Sequence, residues 1–407
     1  MLDEFNAFLV RGAGAGNGLD YAAKDNINTT AFPTTGATNG LRGSTPSANA
    51  SIIDRLDAAG ATLTGKLNMH ELALGTTSDN GSFGAVLNPA DPTRSPGGSS
   101  GGTAAAVAAG LVDFALGSDT GGSMRIPAAF CGVVGMRPTT GRFPSDGMLG
   151  ISNTRDTPGV MARTVEKVAQ IDALITGETD TPKLALDTLR LGLPRNGFFD
   201  DLSPEVATVV EFALIKIEEA GATLVETDVV DAVALAPEAG LNVVGYEAVR
   251  LLPAYLSSLA EPYRSMSLND LTAAVASPDV RGALEHFTRE PITDEQYAAG
   301  LRIRTEIQQA YTDAFKRDRL DALLYPTVPI VAPELHATTV TYSGIERAIF
   351  PTTIRNTDPG SLAGQPSVSI PILRAPGALP VGLGIEGEVN SDRRLLSISA
   401  LLEKALA

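Results

Sequence analysis

The chain has no tryptophan, a single cysteine and only three histidines in 407 residues, and its acidic residues outnumber its lysines and arginines, 47 to 31. Each scarcity removes something. One cysteine, Cys131, leaves no internal disulfide and fits a reducing compartment; its place in the apolar run AAFCGVVG makes it a packing residue rather than a reactive thiol. A net charge of −16 repels phosphate backbones and anionic lipid surfaces, so neither nucleic acid nor membrane is an expected partner. His70, His286 and His336 are scattered and none adjoins a serine cluster in sequence, which speaks against a Ser-His-Asp triad. No HExxH or CxxC spacing is present, which speaks against a zinc hydrolase. Long apolar runs are missing too. The longest, Thr103 to Leu116, is interrupted by Gly110 and Asp113 and is too short to span a bilayer, and the opening MLDEFNAFLVRG has too short an apolar stretch for a signal peptide. The expectation is a soluble, cytoplasmic protein.

Glycine is plentiful, with 41 residues, and hydrophobic residues make up 43% against 19% charged, the composition of a loop-rich globular protein with a sizeable core. Two Gly/Ser clusters stand out, PGGSSGG at 96–102 and GSDTGGS at 117–123. Between them, Thr103 to Ala109, closed by Gly110, predicts a helix, and Val112 to Leu116 predicts a short buried strand. That path can carry both serine clusters to one end of a sheet, where N–H groups freed by glycine face a bound anion. An isolated GGSSGG would read as a flexible linker, but this one runs straight into an apolar helix. It is not a phosphate-binding P-loop, because Thr103 rather than Lys-Ser or Lys-Thr follows Gly102. RGAGAGNG at 11–18 fits no register of GxGxxG, since Asn17 or Leu19 falls where glycine is required, and reads as a mobile loop.

A serine hydroxyl is a poor nucleophile until a base takes its proton. With no histidine adjoining the clusters, the candidates ahead of Ser123 are Lys24 and Lys66. A lysine of reference pKa about 10.4 must first be deprotonated, which costs about 4.6 kcal/mol at pH 7. Burial away from a counter-charge has to supply that shift. The residues by themselves barely separate the two lysines.

PGGSSGG, GSDTGGSMRIPAAFCGVVG and RPTTGR together resemble the amidase signature family, and the resemblance extends over about residues 20–165 and 320–407. It implies that Ser123 is the nucleophile, Ser99 a bridging serine held in a cis peptide and Lys24 the ultimate base, with Lys66 an ordinary family position. The N–H groups of Thr120, Gly121, Gly122 and Ser123 would form the oxyanion hole, and no cofactor is implied. TRDTPG at 154–159 and IRNTDPGSLAGQPSVSIPI at 354–372 are closer to the indoleacetamide and mandelamide hydrolases of that family than to its tRNA-linked amidotransferase subunits. Arg125, Arg155, Asp156, Arg355, Asn356 and Asp358 then read as a buried polar scaffold. The turn-rich stretch 69–89 is implied to run beside the site, with Met69, Leu72, Leu74 and Phe83 as candidate pocket walls or plain core.

The implied fold is one α/β domain over 1–407, a large mixed central sheet covered by helices on both faces. SIIDRLDAAG at 51–60 predicts a helix and ATLTGKL after it a strand; ALLYPTVPIVAP, PSVSIPI and LPVGLGIEG predict three strands and DRRLLSISALLEKAL a closing helix. Residues 205–220, 244–256 and 297–315 have helical spacing, so about 166–319 is expected to be a helical cap inserted in the fold, governing substrate choice. The expected activity is hydrolysis of a small, aryl-bearing amide to acid and ammonia or amine through an acyl-enzyme. Anilide or carbamate (urethane) cleavage on the same fold, a glutaminase-type amidotransferase subunit and a non-catalytic small-molecule binding protein stay open beside it. The oligomeric state is open, homodimer included.

Overall fold

The structure is a computed structural model that describes residues 3–16, 19–372 and 377–407. Its strands are β1 (Phe8–Arg11), β2 (Asp20–Lys24), β3 (Thr62–Leu67), β4 (Phe114–Asp119), β5 (Val134–Arg137), β6 (Thr157–Ala162) and β7 (Arg190–Pro194). There follow β8 (Thr223–Thr227), β9 (Ala322–Pro326), β10 (Thr339–Tyr342), β11 (Ile345–Ala348), β12 (Ser367–Ile372) and β13 (Val381–Glu386). Eleven of them make one mixed sheet in the order β1-β3-β2-β4-β6-β5-β12-β13-β9-β7-β8, while β10 and β11 form a separate hairpin. Parallel pairs β3–β2–β4 and β9–β7–β8 flank an antiparallel centre.

Helices cover both faces. On one, Ser51–Ala58, Val165–Thr176, Pro204–Glu219 and Asp392–Ala405 send Ile53, Val168, Val210 and Leu395 into the largest apolar cluster, with Phe114, Leu116, Val160 and Val368 of the sheet. The helix Pro204–Glu219 shows why these residues form it. Ser203 caps its N-terminus, a proline occupies the first turn, and Val206, Val210, Ala213, Leu214 and Ile217 make one buried stripe. On the other face sit Gly101–Ala108, Arg125–Cys131, and the long helices Ala232–Ser257 and Asp294–Asp318, which pack on each other. The Ala-rich helix 101–108 lies against the sheet because its side chains are small. A Cβ on Gly102 would stand 2.2 Å from the carbonyl oxygen of Asn68. No helix of the described residues is long and apolar enough to cross a membrane.

The α/β architecture expected from the sequence is the one observed, with two local differences. The predicted helix after GGSSGG starts at Gly101, and the strand predicted at 112–116 runs instead from Phe114 to Asp119. Residues 166–319 are not a purely helical cap: β7 and β8 inside this segment join the main sheet at its edge. These runs, RLGLP and TLVET, are five residues long; β7 alternates over only two leucines and β8 is half-exposed without alternation, so neither gives a strong strand signal in sequence. β1, which pairs with β3 at the opposite edge, was also unanticipated. Of the glycine-rich loop after it, residues 12–16 form no regular element and the Asp20 carboxylate accepts from the N–H groups of Ala15 and Gly16; Asn17 and Gly18 lie outside the described residues. Cys131 is buried, its thiol facing the Pro96 carbonyl, and burial pushes its pKa up.

Candidate active site

Alternation along β2 sends Tyr21 and Ala23 into one core and Ala22 into the other, so Lys24, its last residue, turns toward the Ala-rich helix. Its side chain is fully buried. The Nζ lies 2.7 Å from Ser99 Oγ, 2.9 Å from Ser118 Oγ and 3.5 Å from the Ser118 carbonyl, and among the described residues no carboxylate pairs with it. Burial lowers its pKa to about 7, against the weaker opposing pull of Asp156 and Asp119. Lys66 is equally buried but differently partnered. Its Nζ pairs with Asp25 Oδ1 at 3.2 Å and donates to Thr34 Oγ1 at 2.7 Å and the Pro33 carbonyl at 3.2 Å. Burial lowers its pKa as well, and Asp25 opposes the shift.

Ser99 follows a cis peptide bond from Gly98. Its carbonyl accepts from the N–H of His70 at 3.0 Å, and the next hydroxyl, Ser100 Oγ, donates to the Ser118 carbonyl at 3.0 Å. The two serine clusters therefore meet, GGSSGG wrapped against the end of β4. Ser118 was missed as a site residue in sequence although it lies in GSDTGGS. Its Oγ takes both Lys24 and the Asn26 amide, the latter at 3.1 Å.

Beyond β4 the chain turns through Thr120–Met124 into the helix Arg125–Cys131. Asp119 organises this turn. Its carboxylate accepts from the N–H groups of Gly122 at 2.9 Å and Met124 at 3.1 Å, and from the guanidiniums of Arg125 and Arg137. Burial works to raise its pKa, but the two arginines outweigh it and hold the carboxyl well below its ordinary value. Gly122 has φ +140°, and a Cβ there would lie 2.1 Å from Thr357 Oγ1. The Gly122 N–H is already committed to Asp119, whereas those of Thr120, Gly121 and Ser123 have no protein acceptor among the described residues. Ser123 is 7% exposed, and no described residue hydrogen-bonds its hydroxyl.

The polar scaffold surrounds this turn. Arg155 donates to the Thr120 carbonyl at 3.1 Å and pairs with Asp358; Asp156 accepts from the Thr120 hydroxyl and from the N–H groups of Ile151 at 2.7 Å and Ser152 at 2.9 Å. Asn356 bridges the carbonyls of Phe198 and Pro326. Arg355, half-buried, donates to Asn356 Oδ1 at 3.1 Å and to the carbonyl of Asp200. Arg137 and Glu386 belong to the network although sequence reasoning passed over them: Glu386 accepts from Tyr311 at 2.8 Å, and burial raises its pKa to about 6 against Arg125. Asp156 also lines a cavity of about 180 Å³ with Met148, Gly150, Ser152, Leu251, Ala254 and Tyr255. None of the candidate wall residues lines it. Met69 and Leu72 are fully buried in separate apolar clusters, and Leu74 and Phe83 pack half-buried against the cluster of Met69.

Set beside known proteins, residues 14–396 match the Amidase family model. The chain is 41% identical over 393 residues to the indoleacetamide hydrolase of Rhizobium radiobacter, covering 96% of this chain and 84% of that one. It is 38% identical over 406 residues to the mandelamide hydrolase of Pseudomonas putida, covering 96% and 78%. The solved structure of an amidase superposes with a TM-score of 0.87 at 30% identity, covering 99% of this chain and 92% of the other. Two buried serine clusters joined through a lysine, on a large mixed sheet that superposes on an amidase over nearly its whole length, thus come with a match across almost all of the sequence: the chain belongs to the amidase family and is a serine amidase.

Proposed function

We propose that the enzyme cleaves a small primary amide bearing one aromatic ring, with Ser123 as nucleophile, Ser99 as proton relay and Lys24 as base. The observation that carries this is the contrast between the partners of the two buried lysines: among the described residues Lys24 hydrogen-bonds only hydroxyls and a carbonyl, with its pKa lowered by burial to about 7, whereas Lys66 pairs with Asp25. The shift from 10.5 is worth about 5 kcal/mol, the amount that a neutral amine at pH 7 requires.

In the forward step the neutral Lys24 amine takes the Ser99 proton as Ser99 takes that of Ser123, whose Oγ attacks the amide carbon. The carbonyl oxygen, now anionic, is received by the N–H groups of Thr120, Gly121 and Ser123, which are preorganised and need no rearrangement. The proton held on Lys24 returns through Ser99 to the amide nitrogen, the C–N bond breaks, and ammonia leaves. Water then attacks the acyl-Ser123 ester by the same route, releasing the acid and regenerating the serine. No cofactor enters the balance.

The ring is supported by the cavity and by the relatives. The cavity beside Asp156, about 180 Å³, has room for one ring, with Met148, Leu251, Ala254 and Tyr255 as its apolar lining and Ser145, Ser152, Asn153 and Asp156 as its polar lining. The named substrates of the indoleacetamide and mandelamide hydrolases carry rings on the acyl side. Incubating the enzyme with matched alkyl and aryl amides, anilides and carbamates, and following acid release by mass spectrometry, tests the reading; it predicts fastest release from an aryl-substituted primary amide. Preference for the carbamate or anilide would move the assignment to those reactions.

A further inference from the structure

His70 is 1% exposed, has no part in the proton path above, and yet is placed against the residue at its centre. Distant in sequence from both serine clusters, it donates its main-chain N–H to the carbonyl of Ser99 at 3.0 Å. Its ring is bound on both sides. Nδ1 faces the N–H of Ser78 at 3.1 Å, and because a backbone N–H can only donate, Nδ1 is the unprotonated acceptor. Nε2 therefore carries the proton and donates it to Asp279 Oδ2 at 2.9 Å. The ring lies flat against Gly75, where a Cβ would stand 2.2 Å from Nε2, so it has one seat. Ser78 completes the link: its Oγ accepts from the Gly101 N–H at 3.0 Å and makes a longer bond, 3.4 Å, to the same Ser99 carbonyl.

We infer that His70 is a positioning residue for Ser99. Its main-chain N–H, which any residue at position 70 keeps, holds the Ser99 carbonyl; its ring holds the same carbonyl through Ser78, and Asp279 keeps the ring in the tautomer that Ser78 requires. This rests on the relay role assigned to Ser99 above. The outer end of the chain is a surface group: Asp279 is 61% exposed in the first turn of the helix Pro278–Arg289. The alignment of a buried relay is thereby tied to a solvent-facing carboxylate on another element. A displacement near 1 Å at a reacting group is enough to lower turnover about a hundredfold.

The test compares His70→Ala, His70→Asn and Asp279→Ala in the wild-type enzyme and in a Ser99→Ala background, with amide turnover in the first and residual turnover of an activated aryl ester in both. Asparagine keeps an acceptor where Nδ1 stands but cannot reach Asp279. Positioning predicts that His70→Ala lowers kcat on the amide about a hundredfold with KM within about twofold, that His70→Asn recovers most of it, and that Asp279→Ala loses about three- to tenfold. In the Ser99→Ala background none of the three lowers ester turnover further, because what they align is gone. A residue that only supports the fold would act alike in both backgrounds, so an additive loss overturns the inference. So does His70→Ala with kcat within threefold of wild type. Should His70→Ala fail to fold, His70→Asn and Asp279→Ala carry the test, and unchanged kcat in both overturns it. Full activity of Ser99→Ala would overturn the relay itself and this inference with it; an inactive Ser99→Ala beside a fully active His70→Ala overturns this inference alone.

Discussion

Asp25 and Lys66 form a buried ion pair at 3.2 Å, while Lys24, the neighbour of Asp25 in the chain, pairs with no carboxylate among the described residues. Asp25 is further held by the N–H groups of Thr35 at 3.0 Å and Ala37 at 3.2 Å. One buried lysine thus has a carboxylate at contact distance opposing its loss of charge, and the other has only hydroxyls and a carbonyl as partners among the described residues.

The first prediction separates them. Lys66→Met leaves Asp25 buried without its cation, and breaking such a pair lowers stability by about 3 to 5 kcal/mol. Turnover per folded molecule should stay within about threefold. Denaturant unfolding together with kinetics checks both halves; a folded Lys66→Met enzyme without activity would move the base from Lys24 to Lys66.

The second concerns pH. A base with a pKa of about 7 must be neutral to act, so kcat/KM for an amide should rise about tenfold per unit below pH 7 and level off above it. The same shift has a stability counterpart. Lys24 titrates near 7 when folded and near 10.5 when unfolded, so between those values the unfolded chain binds the extra proton and stability climbs with pH. Lys24→Met should therefore stabilise the protein by up to about 4 kcal/mol at pH 6, a gain that shrinks steadily toward pH 10. A Lys24→Met gain that does not change with pH would mean that the folded lysine titrates normally.

What was legible in the sequence follows from the kind of signal involved. Lys24, Ser99 and Ser123 sit in long, composition-distinct motifs, and the sheet strands among them are fully buried runs such as FALGSD. Three helices of 204–318 announced themselves by period, and their boundaries moved by few residues except for Ala232–Ser257, which starts twelve residues before the expected Val244 and runs through Pro237; the shorter Leu268–Ala274 and Pro278–Arg289 were not anticipated. Ser118, His70 and the occupied N–H of Gly122 were illegible because their meaning lies in partners far along the chain. Lys24 is 94 residues from Ser118, and Asp279 is 209 from His70. The pocket walls failed to declare themselves for another reason: an apolar side chain in a loop reads the same whether it faces a ligand or a core.

The third prediction follows from the cavity at Asp156. Phenylacetamide should exceed acetamide in kcat/KM by about 30- to 150-fold, since burying one ring is worth about 2 to 3 kcal/mol. Ala254→Phe, which fills that cavity, should erase most of the difference while sparing acetamide. If Ala254→Phe leaves phenylacetamide unaffected, the ring binds elsewhere.

The fourth concerns the nucleophile. Ser123→Ala should fold as wild type, because its hydroxyl makes no hydrogen bond to a described residue, and should retain less than about a hundredth of the turnover. Turnover above that level would exclude Ser123.

The most direct test of the account is the response of matched substrates to Lys24→Ala. An amine leaves only when it is protonated as the C–N bond breaks, and here that proton must come back from Lys24 through Ser99, at 2.7 Å. A phenolate leaves without such help. Comparing phenylacetamide with phenyl phenylacetate, the account predicts that Lys24→Ala slows the amide by at least tenfold more than the ester and removes the rise of rate through pH 7. Undiminished amide turnover by Lys24→Ala, or an unchanged pH profile, would contradict it.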